Sequence, residues 1–234
     1  MKSFENLNKM KKIQLFIALI LGFAMQGIAQ ESEQVTLLKT GEQSAGLYFG
    51  IDYSFGTMGL QYQRGITLFD RSVIIGADMA FPMFEFDFGD YRVNVIKIQT
   101  SVFRKNNFDV TLAYSPTLTK NTNKVQSLTA WGHEVGLRAG FWGNKWGVGG
   151  NVTLNKQFAT RIEHTDYFKT IVFDEVKDGW YQGTGGNIRL SVEAARRIGQ
   201  LDVNLKLGLA KTLQFENYLL IPEIYGVVGG TYRF

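Results

Sequence analysis

Hydrophobic and polar side chains alternate with a period of two along most of the chain beyond residue 44. The clearest example spans 201–210, where leucines and a valine at odd positions alternate with Asp202, Asn204 and Lys206. Such alternation is typical of β-strands with one apolar and one polar face. Similar segments recur at a spacing of roughly 20 residues, without a helical stripe between them. The pattern therefore predicts an all-β protein.

Ten segments of this kind can be counted along the chain. The fourth changes parity, because Val93 and Val95 share one face whereas Ile96 and Ile98 share the other, and this slip predicts a β-bulge. A count of eight strands, in which the weak second segment is not separate from the first, stays as the alternative. The first apolar residues of the ten segments are, in order, Leu47, Met58, Val73, Tyr91, Phe108, Val135, Trp146, Ile188, Leu201 and Ile224.

The N-terminus is typical of a secretory signal peptide over residues 1–29. Several lysines precede an apolar run over 13–24, and small residues close the segment at Ala29. The apolar run of about 12 residues is shorter than the roughly 20 that a membrane-spanning helix requires. Met10, which is followed by two lysines, is an alternative start. We therefore expect an exported protein that loses residues 1–29.

Composition limits the classes of partner and fold. Of 25 basic and 21 acidic residues, the predicted signal peptide holds four lysines and Glu5, which leaves 21 against 20. The nearly neutral remainder gives no argument for a nucleic-acid partner. The absence of cysteine excludes disulfides, thiolate metal ligands and a lipid-modified cysteine. No later segment is apolar enough to cross a membrane as a helix, so a membrane protein with this sequence must form a closed barrel.

The connections between the segments alternate in length, which distinguishes the two ends of the predicted barrel. Short links lie near residues 70, 106, 144 and 199, whereas the links at 82–90, 120–126, 161–181 and 216–218 are mostly longer and more polar. The first of the other set, around Gly56, is short and is the exception. Short periplasmic turns and longer outer loops are typical of outer-membrane barrels. The alternation predicts that both termini are periplasmic, with a short periplasmic segment over 30–44 and the barrel over 45–234.

The last strand ends on Tyr232-Arg233-Phe234, with both aromatic rings on its apolar face. This ending resembles the terminal strand by which outer-membrane β-barrel proteins are recognised for assembly, whose final aromatic lies at the lipid–water boundary. By pattern, signal and C-terminus, 45–234 is similar to the small outer-membrane β-barrel families, namely porin-family or PorT-like proteins with OmpX-like and opacity-type relatives. The resemblance implies an integral protein of a Gram-negative outer membrane. It would be surrounded by lipopolysaccharide and inserted by the barrel-assembly machinery, with Tyr232 and Phe234 as the assembly signal.

Aromatic residues near the strand ends are predicted to form two girdles, and polar residues of the opposite parity are predicted to line the lumen. The periplasmic girdle would hold Phe69, Phe103, Phe108, Trp142, Trp146 and Phe234. The outer girdle would hold Phe81, Tyr91, Tyr114, Trp131, Phe158 and Tyr181. The lumen would hold Asp52, Asp78, Lys97, Glu134, Arg138, Asn151, Arg189, Glu193, Asp202, Lys206 and Arg233. Because both charge signs are present, we interpret the lumen as an ion-paired plug, with a narrow polar channel as the alternative.

Two features could carry chemistry, and neither completes a motif. His133 precedes Glu134 at the outer end of a strand, and His164 lies among acidic residues in the longest loop. Omptin proteases and lipid A deacylases place a histidine with acids or a serine at the barrel rim, but no residue-by-residue match to either family exists. The glycine-rich segments 147–150 and 183–186 do not open a helix, as a phosphate-binding loop would. We predict no catalytic, metal-binding or cofactor-binding residues.

The sequence predicts a non-enzymatic barrel with a structural, adhesive or partner-binding role, with or without weak passive conductance. The long loop 161–181 would be either a strand extension above the membrane or a surface that recognises an envelope protein or a glycan. The alternative function is a rim hydrolase that acts on lipid or peptide. The alternative fold is a soluble lipocalin-type barrel with its apolar face inside. No nucleic acid or cofactor is expected.

Overall fold

The computed structural model describes ten antiparallel strands that close into one barrel. In chain order these are β1 (Gln43–Ile51), β2 (Thr57–Leu68), β3 (Arg71–Pro82), β4 (Tyr91–Lys105), β5 (Phe108–Thr122), β6 (Gln126–Trp142), β7 (Trp146–His164), β8 (Gly179–Ile198), β9 (Leu201–Thr212) and β10 (Ile224–Arg233). Each strand pairs with its sequence neighbours, and β1 also pairs with β10. The residues that the structure describes are 37–52, 56–69, 71–83, 89–172, 176–213 and 223–234. The predicted signal peptide and residues 30–36 lie outside them.

The ten-strand prediction is confirmed, and the eight-strand alternative is wrong. β1 and β2 are separate strands that pair antiparallel, with Gly50 opposite Thr57 and Gln43 opposite Arg64. The N-terminal and C-terminal strands meet at one end of the barrel, where the Gln43 amide donates to the carbonyl oxygen of Phe234 at 3.0 Å. We call this the lower end and the opposite one the upper end. Within the described ranges, no helix is long and apolar enough to cross a membrane.

The barrel wall has an apolar outer face and a polar inner face. On β9, Leu205, Leu207 and Leu209 are 45, 50 and 62% exposed, whereas Asp202 is 3% exposed. This sidedness follows from the alternation, since successive side chains of a strand point to opposite faces of the sheet. The lipocalin-type alternative, with its apolar face inside, is therefore wrong for this chain.

β4 contains the predicted bulge. Opposite the single residue Ala77 of β3, β4 has two residues, Val95 and Ile96. Both are exposed on the outer face of the barrel. An extra residue in one strand of a pair is the definition of a bulge. The result is that Asn94 and Lys97, on either side of it, both line the interior.

The wall is taller on one side than on the other. β5 to β8 contain 15, 17, 19 and 20 residues, whereas β1 and β10 contain 9 and 10. β7 continues to His164 and β8 begins at Gly179, with a π-helical turn (Phe168–Val172) in the connection. The prediction that strands extend into the long loop is confirmed, and the connection itself is shorter than 161–181.

The predicted long link at 120–126 is a tight turn, so that prediction is wrong. β5 continues to Thr122 and β6 begins at Gln126. The Asn123 side-chain oxygen accepts hydrogen bonds from the amides of Val125 and Gln126, at 2.8 and 2.9 Å. An asparagine that bonds to nearby backbone amides favours a turn. The polar residues at these positions therefore belong to two strand ends and a tight turn, not to a long loop.

Trp142 lies inside the barrel, so its predicted place in the girdle is wrong. Its side chain is fully buried. A Cβ atom added at Gly147 would lie 2.2 Å from Trp142 Cε3, and one added at Gly149 would lie 2.9 Å from Trp142 Cζ2. The Arg138 guanidinium carbon lies 4.4 Å from the centroid of the indole. Two glycines of segment 147–150 therefore make room for this ring, and parity places it inside because Trp142 and Arg138 share a strand face.

Candidate functional site

The barrel encloses one elongated polar cavity of about 240 Å³. All eleven residues predicted to face the lumen line it. The lining runs from Ser44 and Arg233 at the lower end to Asp52 and Arg189 at the upper end. The volume is below the roughly 300–1,000 Å³ of pockets that hold drug-sized ligands. The interior is therefore largely filled by its own side chains, as in barrels of about eight strands.

The upper part of the cavity contains a carboxylate that two arginines share. Arg189 Nη1 donates a hydrogen bond to Asp52 Oδ1, and Arg92 Nη1 lies 3.4 Å from Asp52 Oδ2. All three side chains are largely buried, and the Arg189 guanidinium carbon also lies 5.5 Å from the ring centroid of Tyr225. Arg92 and Tyr225 are absent from the predicted set. Parity could have found Arg92, since it alternates with Val93, which the sequence places outside.

The middle of the cavity mixes paired and unpaired charges. Asn94 Nδ2 donates to both carboxylate oxygens of Asp78 at 2.9 Å. Arg138 Nη1 lies 3.5 Å from Glu193 Oε1. By contrast, three further lining side chains form no ion pair within 4.0 Å with any residue in the described ranges. These three are Lys97, Glu134 and Lys206.

The lower part of the cavity is held by a second shared carboxylate. Arg197 Nε donates to Asp202 Oδ1 at 2.8 Å, while Arg233 donates from Nε and Nη2 to Asp202 Oδ2 at 3.0 and 2.5 Å. Arg233 Nη1 also donates to the carbonyl oxygen of Leu37 at 2.6 Å and lies 3.3 Å from Glu42 Oε2. One arginine therefore joins β10, β9 and the segment before β1.

That segment, residues 37–42, lies across the lower end of the barrel. Leu37 and Leu38 are buried and form an apolar cluster with Ile74, and Leu38 also lines the cavity. The Gly65 amide donates to the carbonyl oxygen of Glu42 at 2.9 Å. A Cβ atom added at Gly65 would lie 2.0 Å from the Lys39 carbonyl oxygen. The sequence gives no period-two signal in these residues, so their contact with the lumen is not predicted.

A third shared carboxylate lies outside the lumen, in the connection between β7 and β8. Asp178 Oδ1 accepts from the His164 amide at 2.8 Å and lies 2.9 Å from His164 Nδ1, and Asp178 Oδ2 accepts from Lys169 Nζ at 2.5 Å. The His164 ring stacks on Phe168 with centroids 5.4 Å apart. The hydrogen bond from Lys169, followed by those from His164, lowers the pKa of Asp178. The same Asp178 hydrogen bond raises the pKa of Lys169.

His133 faces the outside of the upper wall. Its ring stacks between Tyr114 and Phe158, with centroid distances of 6.4 and 6.3 Å. The neighbouring Glu134 faces the cavity. Adjacent residues on a strand point to opposite faces, so the two side chains cannot form an acid–base pair. Within the described part of the chain, no group of three or more metal-ligating side chains is present.

Comparison with known proteins gives no family. No protein-family model matches the chain, and no curated protein is similar to it. Among solved structures, the chain is similar to Ail, the attachment invasion locus protein of Yersinia pestis, in a complex with the heparin analogue sucrose octasulfate. The identity is 11%, the match covers 83% of this chain and 99% of that chain, and the TM-score is 0.23. At this TM-score the likeness carries no argument about fold or function.

Proposed function

We propose that this chain is an integral β-barrel protein of a Gram-negative outer membrane, with its lower end in the periplasm. The observation that carries the proposal is the apolar outer face, since each of the ten strands exposes at least one large hydrophobic side chain. Examples in strand order are Leu47, Leu60, Ile75, Ile98, Tyr114, Leu137, Val148, Leu190, Leu205 and Val228. Water-soluble monomers rarely expose apolar patches above a few hundred Å². Acyl chains would cover such a surface.

Two rings of exposed aromatic residues support a membrane boundary at each end. Phe69, Phe103, Trp146 and Phe234 are exposed near the lower end. Tyr114, Trp131, Phe158 and Tyr181 are exposed near the upper end. With a rise of about 3.3 Å per residue and a tilt of ~40°, ten residues cross the ~25 Å apolar band of such barrels. The 19 residues of β7 would then rise roughly 20 Å beyond it.

A lumen that is largely filled by its own side chains supports a closed barrel with a structural or partner-binding role over transport. Asp52 with its two arginines, Trp142, and segment 37–42 each fill part of the interior. Open aqueous channels are found in barrels nearer 16 strands. The raised part of β5–β8, together with the β7–β8 connection, carries the exposed rings of Tyr167, Trp180 and Tyr181, which are suited to binding an envelope protein or a glycan. We infer a non-enzymatic protein whose membrane-embedded barrel holds this raised wall above the membrane.

Fractionation and conductance test the proposal. We expect the full-length protein to remain with the outer membrane, to need detergent for extraction, and to migrate faster on SDS gels before heating than after it. In planar bilayers we expect no stable large unit currents. Recovery of the processed chain as a water-soluble monomer would overturn the membrane assignment. Large stable currents would overturn the closed lumen and leave the membrane assignment in place.

One observation favours the rim hydrolase as a second candidate. His164 has a carboxylate partner within 2.9 Å, which is the base–orienter geometry that general-base catalysis needs. Against it, Lys169 takes the other oxygen of Asp178, and the imidazole is stacked on Phe168. Lipid and peptide hydrolysis should be assayed with the wild type and with His164→Ala. Activity that the substitution abolishes would support the hydrolase, and equal activity in both proteins would remove it.

A further inference from the structure

We infer that the upper rim of the barrel carries a site for the phosphate groups of an outer-leaflet glycolipid, formed by Lys156, Lys211 and His133. The inference rests on the proposed outer-membrane location. The lipid that this face of the wall would bind is a phosphorylated glycolipid of the outer leaflet.

The three residues belong to adjacent strands and face outward. His133 of β6 is the register partner of Lys156 of β7, which places their Cβ atoms about 5 Å apart. Lys211 of β9 is exposed and follows the outward Leu209 at the same parity. Lys156 likewise follows the exposed Leu154 by two residues. A single anionic group lying over β7 and β8 would be within reach of both ammonium groups.

A glycine between the two lysines shapes this surface. Gly186 of β8 is the register partner of Lys156. A Cβ atom added at Gly186 would lie 3.2 Å from Lys156 Cδ and 3.3 Å from Leu213 Cδ1. The lysine stem therefore lies over Gly186 and points towards β9. On β9, Lys211 is the register partner of Ile188, which lies two residues beyond Gly186 on β8. A larger residue at Gly186 would displace this stem.

The imidazole is held in place by apolar contacts. His133 stacks between the rings of Tyr114 and Phe158. Stacking fixes the ring plane without engaging the ring nitrogens, and His133 forms no hydrogen bond with a described residue. Its N–H is thus available to an acceptor beside Lys156. Imidazole, ammonium and aromatic groups together are typical of the headgroup region.

The two lysines differ from Arg161 and Lys169, which also belong to the upper part of the barrel. Arg161 Nη2 lies 2.6 Å from Glu163 Oε1, and Lys169 Nζ lies 2.5 Å from Asp178 Oδ2. Neither Lys156 nor Lys211 has a carboxylate within 4.0 Å among the described residues. Cations on an apolar outer face that have no anionic partner in the protein favour binding of an anionic lipid group.

Their height matches that of lipid phosphates. Lys156 lies ten residues beyond Trp146, and Lys211 lies ten residues beyond Leu201, both counted from the lower end. At ~3.3 Å per residue and a tilt of ~40°, this places each lysine about 25 Å above the lower girdle, at the upper border of the apolar band. Charged residues are tolerated at that border and not at the midplane.

The test measures lipid binding to the full-length barrel, purified in a neutral detergent and checked for folding by its gel mobility before and after heating. Bisphosphorylated lipid A is the probe, and dephosphorylated lipid A and inorganic phosphate are the comparison arms. We expect the phosphorylated form to bind at least tenfold more tightly than the dephosphorylated form. Inorganic phosphate at millimolar concentration should not compete. Equal binding of both lipids, or competition by free phosphate, would overturn the inference.

Charge variants locate the site. Lys156→Gln with Lys211→Gln should weaken binding of bisphosphorylated lipid A about 20-fold or more, since each cation near an anionic surface contributes about fivefold. Lys156→Arg with Lys211→Arg should keep it. The matched control is Arg196→Gln, which removes an exposed cation opposite Trp146 at the lower rim and should leave binding unchanged. An equal loss of binding in the control, or no loss in the double lysine variant, would overturn the site. The proposed outer-membrane function would still stand if the variants remain folded barrels that need detergent.

Discussion

Asp52 and Asp178 are each shared by two basic side chains, in opposite surroundings. Asp52 lies in the lumen between Arg189 and Arg92, and its side chain is 7% exposed. Asp178 lies in the β7–β8 connection between Lys169 and His164, and its side chain is 36% exposed. The local geometry is similar, but water screens only the second cluster. The comparison teaches that a buried ion cluster stabilises the whole barrel, whereas an exposed one stabilises only the conformation of its own loop.

The largest effect is expected for Asp52→Asn. The substitution removes the charge that two buried guanidinium groups share, and breaking a buried pair from one side costs about 3–5 kcal/mol in free energy of unfolding. Urea unfolding of the barrel in detergent measures it. The matched control is Glu134→Gln, which changes a lining carboxylate that has no ion pair within 4.0 Å in the described ranges. Equal losses in the two variants would contradict a special role for the Asp52 cluster.

A smaller loss, of about 2–3 kcal/mol, is expected for Asp202→Asn. This carboxylate is also buried and shared, but Arg233 would keep its hydrogen bond to the Leu37 carbonyl oxygen and its contact with Glu42. The same urea titration gives the value. Glu42→Gln removes the charge from the longer and more exposed contact of Arg233, while its amide oxygen can still accept the hydrogen bond that the Lys39 amide donates to Glu42 Oε2 at 2.8 Å, so it should cost less. A loss larger than that of Asp52→Asn would show that retained partners do not matter.

Packing in the lumen can be tested without changing any charge. Gly147→Ala would place a Cβ atom 2.2 Å from the buried Trp142 ring, and overpacking of this kind costs about 1–3 kcal/mol. Gly150→Ala is the matched control, because its added Cβ would lie 3.7 Å from the Ser191 carbonyl oxygen, an ordinary contact. The thermal unfolding midpoints of the two variants measure the difference, and the midpoint of Gly147→Ala should be the lower one. Similar destabilisation would argue that segment 147–150 needs its glycines for backbone shape and not for the indole.

The smallest effect on global stability is expected for Asp178→Asn, because the cluster is exposed and its hydrogen bonds compete with water. Unfolding by urea should be unchanged within error, while proteolysis within 165–178 should become faster. The pKa of Asp178 is lowered in the folded protein, so its stabilising effect is fully present above the ordinary value of 3.8 and is lost as the pH falls through the lowered value.

Cleavage of the wild type should therefore accelerate in acid below pH 3.8, measured with an acid-active protease, and the Asp178→Asn variant should lack this acceleration. A global unfolding shift as large as that of Asp52→Asn would remove the contrast between the two clusters.

The sequence predicts the barrel wall better than it predicts the contacts at the two ends of the barrel, for a physical reason. Strand sidedness is encoded in every second residue, so the outward leucines of β9 and the bulge at Val95 and Ile96 follow from local pattern alone. The eleven lumen residues follow from the same parity. Trp142 is misplaced because its position at a strand end predicts a girdle residue, whereas its parity with Arg138 places it inside the barrel.

Contacts between distant parts of the chain are not encoded in that way. Arg233 reaches Leu37 beside the seam where β10 pairs with β1, and Asp178 reaches His164 only because β7 and β8 pair up to Gly179. No repeating pattern marks either partner. Such contacts depend on strand register and on side-chain reach, which the alternation of the sequence leaves open.

The bulge of β4 has a consequence for how this wall tolerates insertions and deletions in its gene. Val95 and Ile96 are neighbours on the same outer face, opposite one residue of β3. Losing either codon would leave Asn94 and Lys97 pointing inward as before, since a regular strand needs only one residue between them. In the middle of β9, loss of one codon would instead turn the leucines inward and the charges outward for half the strand. Changes of length by a single amino acid should therefore accumulate at the bulge and be purged from the regular strands.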